Sequence, residues 1–187
     1  MHTFPPQKPV QLHKMKTIYL LLSLLSTSAV FAQLDTISYT NLTKGRYSIT
    51  YPQSWRLDTS KTFGMDLLLL SPKTDSLDHF IENINVFVQD LHGQGYDLSR
   101  MGRESEGQIK NFVNEVVVTD SKLDSTVSQL FYKLYYTGRQ GKFKLITMQR
   151  YFLKDEIGYA ITMTIKSGKE GEYMTIAEKI FNSFNIQ

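Results

Sequence analysis

His79 and His92 are the imidazoles available for chemistry once the first 32 residues are set aside. Asp78, His79 and Glu82, and separately Asp90 with His92, bring imidazole and carboxylate together, the donor types a divalent cation can take. Neither group offers a full ligand set, and no His-Glu-x-x-His pair occurs, so zinc hydrolysis lacks its helix-borne ligands. A Ser-His-Asp site would have to use one of these two histidines, yet the chain has no Gly-x-Ser-x-Gly elbow. The 18 acidic residues are scattered, and no glycosidase pair can be chosen from them. Zero Cys excludes disulfides, thiolate metal sites, a Cys nucleophile and a lipidated Cys. No catalytic residue, metal or cofactor is expected.

His92-Gly93-Gln94-Gly95-Tyr96 invites comparison with a loop that cradles phosphate on backbone N–H groups. The dinucleotide pattern would need a third glycine where Leu98 stands, and no Gly-Lys-Ser/Thr is present after it. The stretch therefore reads as a turn from a strand into a helix. A basic stripe is the more interesting surface. If Leu130, Tyr132, Leu134 and Tyr136 face a helix, the period of 2 sends Phe131, Lys133, Tyr135 and Arg139 to the other side of the sheet. Lys142, Lys144, Met148, Arg150 and Lys154 share a parity on the next strand. Lys133, Tyr135, Lys144 and Arg150 thus define a candidate basic face for an acidic partner, set against the plainer reading of a solvated sheet.

The elements that must position these residues are mostly strands. Tyr47, Ile49 and Tyr51 alternate with Ser48 and Thr50 until Pro52, which has no N–H for a ladder, ends the run. Trp55, the single Trp, comes next as a large apolar anchor where the chain re-enters the sheet. Residues 66–72 are apolar on both faces and predict a central strand covered on two sides. Residues 80–89, 128–136, 142–153 and 158–165 alternate, and Thr137 to Gly141 predicts a hairpin connection.

Two segments carry a period of 3.6 instead. Leu98, Met101, Ile109, Phe112 and Val113 form one stripe behind Asp97 as N-cap. Tyr173, Ala177, Ile180, Phe181 and Phe184 form a second, where Thr175 and Glu178 have capping-box spacing. These patterns predict an α+β domain, with helices packed on a mostly antiparallel sheet because several links are too short for crossovers.

The first residues read as a targeting signal. Lys14 and Lys16 precede an apolar run from Ile18 to Leu25, and Val30 and Ala32 occupy the −3 and −1 positions of a cut before Gln33. Met15 is the better first residue. Ser23, Ser26 and Ser28 break the run, which falls short of the roughly 20 residues needed to span a bilayer, so cleavage is expected rather than anchoring. Residues 33–187 then form a single exported domain, periplasmic or secreted, with no membrane span. Setting aside Lys8, Lys14 and Lys16 leaves 18 basic residues against 18 acidic ones, so the net charge of +3 belongs to the leader and does not point to nucleic acid.

The order of motifs is similar to the PsbP-like and DcrB-like group, a fold shared with a nuclear factor that binds the GTPase Ran. It runs from Tyr51-Pro52-Gln53-Ser54-Trp55 through an apolar strand ending in Ser71-Pro72 and a long strand over residues 83–88. A mid-chain helix, further strands with a hairpin, and a closing helix with Phe181 and Phe184 complete it. The resemblance implies an α/β/α sandwich used by non-enzymatic accessory proteins, some of them bacterial and periplasmic, and supplies no catalytic residues to carry over. An exported accessory or binding protein of the bacterial envelope is the resulting expectation, its partner a protein or envelope component. Ten Tyr and nine Phe beyond the leader keep open an alternative, a carrier of an apolar small molecule held between sheet and helix.

Overall fold

The computed structural model of the chain describes residues 37–187 apart from 74, 75, 77 and 78. The expected leader with its cut before Gln33, and Asp78, lie outside the described residues. The elements run in the order β1 (Tyr39–Lys44), β2 (Tyr47–Pro52), β3 (Arg56–Asp58), β4 (Leu67–Leu70), β5 (Asn83–Asp90), α1 (Leu98–Phe112) and β6 (Asn114–Ser125). Next come β7 (Leu130–Gln140), β8 (Phe143–Lys154), β9 (Ile157–Lys166), α2 (Glu170–Ser183) and β10 (Asn185–Ile186). A seven-stranded antiparallel sheet has the order β3-β4-β5-β9-β8-β7-β6, and a second sheet has the order β1-β2-β10.

Alternation along β7 and β8 assigns the two faces of the large sheet. Tyr132, Leu134, Tyr136 and Tyr151 pack with Met101, Ile109 and Val113 beneath α1. Phe131, Met148 and Phe152 point the other way, into the main core with Tyr173, Ala177, Ile180 and Phe181 of α2 and with Tyr47, Ile49 and Tyr51 of β2. The domain is therefore layered as helix, sheet, and a third layer in which α2 lies beside the small sheet. Serine anchors that layer: Thr50 N–H donates to Ser183 Oγ at 2.9 Å, tying β2 to the last turn of α2. The main core is filled, with Leu67, Leu69, Ile84, Val86, Met148, Ile161, Met163 and Ile180 all at 0% exposure.

Both helices occupy the expected segments, with changes at their ends. Asp97 caps α1 by accepting from Arg100 N–H at 2.7 Å. Phe112, expected in the buried stripe, is 83% exposed because the helix ends there and Val113 turns extended into the facing position. α2 begins five residues before Thr175, so that residue lies inside the helix and not at its cap; Lys169 holds the cap position and makes no side-chain capping hydrogen bond. Glu170 and Glu172 complement the positive end of the helix dipole instead.

The strand pattern also differs in detail. β4 is second from one edge of the large sheet rather than central, with Leu67 and Leu69 buried and Leu68 and Leu70 half-buried. The β7–β8 connection is a two-residue turn at Gly141 and Lys142, shorter than Thr137 to Gly141, since the ladder continues to Gln140 opposite Phe143. Gly141 supplies the φ of 57° that this tight turn requires. Trp55 is 5% exposed at the entry to β3, edge-on to Tyr173 of α2 with ring centroids 6.2 Å apart.

Candidate functional site

The four residues of the expected basic face do not share one open surface. Arg150 is 5% exposed beneath α2, where its guanidinium stacks over Phe131 at 4.6 Å and Phe181 at 5.0 Å. It donates to Asn182 Oδ1 at 2.7 Å and forms an ion pair with Glu178. Tyr135 O–H donates to the same Glu178 at 3.1 Å, and burial pushes its phenol up to about 12. Lys133 Nζ lies 2.6 Å from Asp120 and 3.3 Å from Asp124, the hydrogen bond to Asp120 leading the causes that raise its pKa. Lys144 alone of the four is exposed, one residue into β8 and opposite Arg139.

The parity of these residues was legible, but the covering of their face was not. Period 2 says which side chains share a side; it does not say that a helix will lie over it. Arg150 tolerates that burial because its planar fork pairs with Glu178 and Asn182 while its guanidinium lies over the rings of Phe131 and Phe181. Of the stripe's cations, Lys142 and Lys144 at the β7–β8 turn and Lys154 at the far end of β8 are open to solvent, and Arg139 is held by Glu115 at 2.8 Å.

His92 belongs to a different place. Asp90 Oδ1 accepts from His92 N–H at 2.9 Å and lies 2.6 Å from His92 Nδ1, closing the loop between β5 and α1 on itself. That hydrogen bond is the leading cause raising the His92 pKa. Gly93 and Gly95 take φ of 73° and 64°, so the Gly-x-Gly pattern is realised as a turn. His79 is exposed and Glu82 is 1% exposed, with Lys166 N–H directed at its Oε1 at 3.4 Å. Among the described residues no three of His, Cys, Asp and Glu stand together as a metal site requires.

Asp90 and His92 stand on the rim of a cleft of about 600 Å³ at the meeting of the two sheets. Lys44 at the end of β1, Arg46 in the β1–β2 turn, Lys61 on the turn before β4, and Asp66 complete its polar lining. Val88 and Ile157 give it apolar surface, backed by the buried Tyr47 and Tyr159. Asp66 is held from two sides, by Lys44 Nζ at 2.8 Å and by Tyr47 O–H at 2.8 Å. Burial acts to raise its pKa, yet the hydrogen bonds from Lys44 and Tyr47 outweigh it and keep the carboxyl below its usual range. No Ser, Thr or Cys is among the described residues lining the cleft; its hydroxyls are the phenols of Tyr47 and Tyr159, and that of Tyr47 donates to Asp66. The charged groups at this opening can bind a ligand. Lys44, Arg46 and Lys61 escaped the sequence reading because the first two lie at one turn and Lys61 on another, and only the folded chain brings them to one opening.

The fold has solved counterparts. A cyanobacterial PsbP, CyanoP from Synechocystis sp. PCC 6803, matches with a TM-score of 0.61 at 12% identity, covering 81% of this chain and 94% of that one. LpqN of Mycobacterium tuberculosis, a protein involved in cell envelope biogenesis, matches with a TM-score of 0.59 at 13% identity over 81% of this chain and 92% of its own. PA94 of Pseudomonas aeruginosa, a protein of unknown function, matches with a TM-score of 0.56 at 8% identity over 81% and 97%. No family model matches the sequence, and no curated protein does either. The chain has a PsbP-like α+β fold. At these identities the likeness is one of fold, and function must be argued from the sites.

Proposed function

We propose that this chain is a non-enzymatic binding protein of the bacterial cell envelope, exported by cleavage before Gln33 and acting outside the inner membrane as one domain over residues 33–187. The observation that carries the reading is the PsbP-like fold, with an envelope-biogenesis protein among its counterparts. The leader motif supports export. Among the described residues no helix is long and apolar enough to cross a membrane. The partner is a protein or envelope component that meets the exposed end of the β7–β8 hairpin, with Lys142 and Lys144 as the contacting cations. Of the four residues of the expected basic face, Lys144 keeps that role. Lys133, Tyr135 and Arg150 support the strand and helix behind it.

Fractionation with N-terminal sequencing tests the export arm. The expected result is a processed chain beginning at Gln33 outside the cytoplasm; an unprocessed chain confined to the cytoplasm would contradict it.

A second reading, a carrier of a small molecule, is favoured by one observation, the cleft of about 600 Å³. That volume lies within the ~300–1,000 Å³ usual for ligand sites. The position differs from the one expected between sheet and helix. Between the large sheet and α2 the side chains of Ile161, Met163, Ala177 and Ile180 fill the space at 0% exposure. Between the large sheet and α1 there are spaces of about 140 Å³ beside Met101 and Ser105 and about 330 Å³ beside Phe112 and Val113; the junction of the two sheets is larger and is the site this reading takes.

A further inference from the structure

The cleft has a charge pattern that its own acids do not cancel. Asp66 is taken up by Lys44 and Tyr47, and Asp90 by His92. Arg46 and Lys61 also line it, and neither forms an ion pair among the described residues. Asp155 and Glu156, on the β8–β9 turn, lie near enough to act on Tyr159 and His92 but are outside the lining. Two exposed cations without an ion pair therefore line one opening from two separate turns, Lys61 also helping to hold the Asp66 carboxyl low.

Each cation is set by its backbone. Arg46 succeeds Gly45, whose φ of 58° makes the two-residue turn between Lys44 and Tyr47. Lys61 itself has a φ of 62°, in the left-handed region that a side chain with a Cβ adopts at a cost, and Phe63 two residues on has a φ of 53°. Below the cations the surface changes character: Val88 is 40% exposed and Ile157 is half-buried, with Tyr47 and Tyr159 buried behind them. An inorganic anion would meet the rim and leave most of the volume to water. An apolar molecule without charge would leave Arg46 and Lys61 unanswered.

The geometry points to an amphiphilic anion as the ligand: an alkyl or aryl body on Val88 and Ile157, with a phosphate or carboxylate group between Arg46 and Lys61. The inference rests on the small-molecule reading of the cleft and is independent of export and of the partner at Lys144. The two carboxylates of the lining are already engaged, Asp66 by Lys44 and Tyr47 and Asp90 by His92, so the anion replaces water rather than a side chain of the lining. Its oxygens are acceptors only, matching a rim whose free groups are donors.

The test titrates the purified chain, below micelle formation, with octyl phosphate, octyltrimethylammonium and inorganic phosphate, reading backbone and methyl NMR shifts. Octyl phosphate is expected to saturate one site with shifts at Gly45, Lys61, Val88 and Ile157, and to bind about 10-fold or more tightly than inorganic phosphate. An Arg46→Gln/Lys61→Gln variant is expected to lose about 10-fold or more in affinity while keeping its melting temperature, since both side chains are free of ion pairs. If octyltrimethylammonium filled the same cleft as tightly, the anion assignment would fall while the small-molecule reading stood. If no ligand shifted Val88 or Ile157, both would fall. Undiminished binding by the double variant, or equal binding of inorganic phosphate, would also overturn the assignment.

Discussion

At the scale of single residues, Trp55 and His92 show how position decides role. Trp55 has the type of a binding-site residue, but at 5% exposure against Tyr173 it fills the corner where β2 leaves the small sheet and β3 joins the large one. Trp55→Ala is expected to cost about 3–5 kcal/mol, the usual loss for truncating a buried large aromatic, measured by denaturant unfolding. A variant of unchanged stability would reverse the assignment. His92 keeps its expected place at the end of β5, and its hydrogen bond to Asp90 raises its pKa above the free imidazole value. The protonated form is thus favoured in the folded chain, and its small stabilising contribution is present at low pH and lost as pH rises through the folded pKa. An NMR titration should find the His92 midpoint above about 6.5, returning toward that value in Asp90→Asn. A midpoint that did not move would remove the pairing. Both residues were visible in the sequence by type and by location between elements. Arg150 was visible only as a cation, because nothing in a strand's alternation reveals that Glu178, Asn182 and two rings wait beyond it, the two polar partners on a helix 28 or more residues away.

At the scale of elements, α1 sits close on the sheet because glycines stand at its contacts. A Cβ on Gly102 would lie 2.2 Å from the Tyr132 ring, one on Gly138 would meet Val113 at 2.3 Å, and one on Gly158 would meet Leu91 at 2.8 Å. In an exposed helix interior Gly→Ala gains roughly 1 kcal/mol, so Gly102→Ala tests which effect wins. Overpacking is expected to dominate, with a net loss of about 1–3 kcal/mol by denaturant unfolding. A stabilised variant would show that α1 is free to lift. Strands with clean alternation, β2, β5, β8 and β9, were legible from their residues. β6 was not: Val116, Val117 and Val118 run together, Lys122 and Asp124 break the alternation of its second half, and register shifts occur twice against β7. A solvated edge strand has one paired side and little to bury, which leaves a faint pattern. β1 and β10 are similarly faint, a short strand and a two-residue one whose place depends on β2.

At the scale of the whole molecule, motif order carried more than any single motif. Tyr51-Pro52 through Trp55, the apolar β4, the long β5 and the closing aromatic helix occur in the sequence order expected of the PsbP-like arrangement. The order could not convey that β2 leaves the large sheet to pair with β1 and β10, because pairing partners are set by long-range contacts rather than by local periodicity. That departure produces the junction between sheets, and with it the cleft that no motif announced. The central claim is that this domain works by binding at its surface, with Lys144 at the contact. A photo-crosslinking residue at position 144, compared with one at the exposed Arg103 of α1, tests this directly in intact cells. One discrete envelope adduct is expected from position 144 and none from 103. Equal labelling from both positions, or no adduct from 144 in a folded and exported chain, would contradict it.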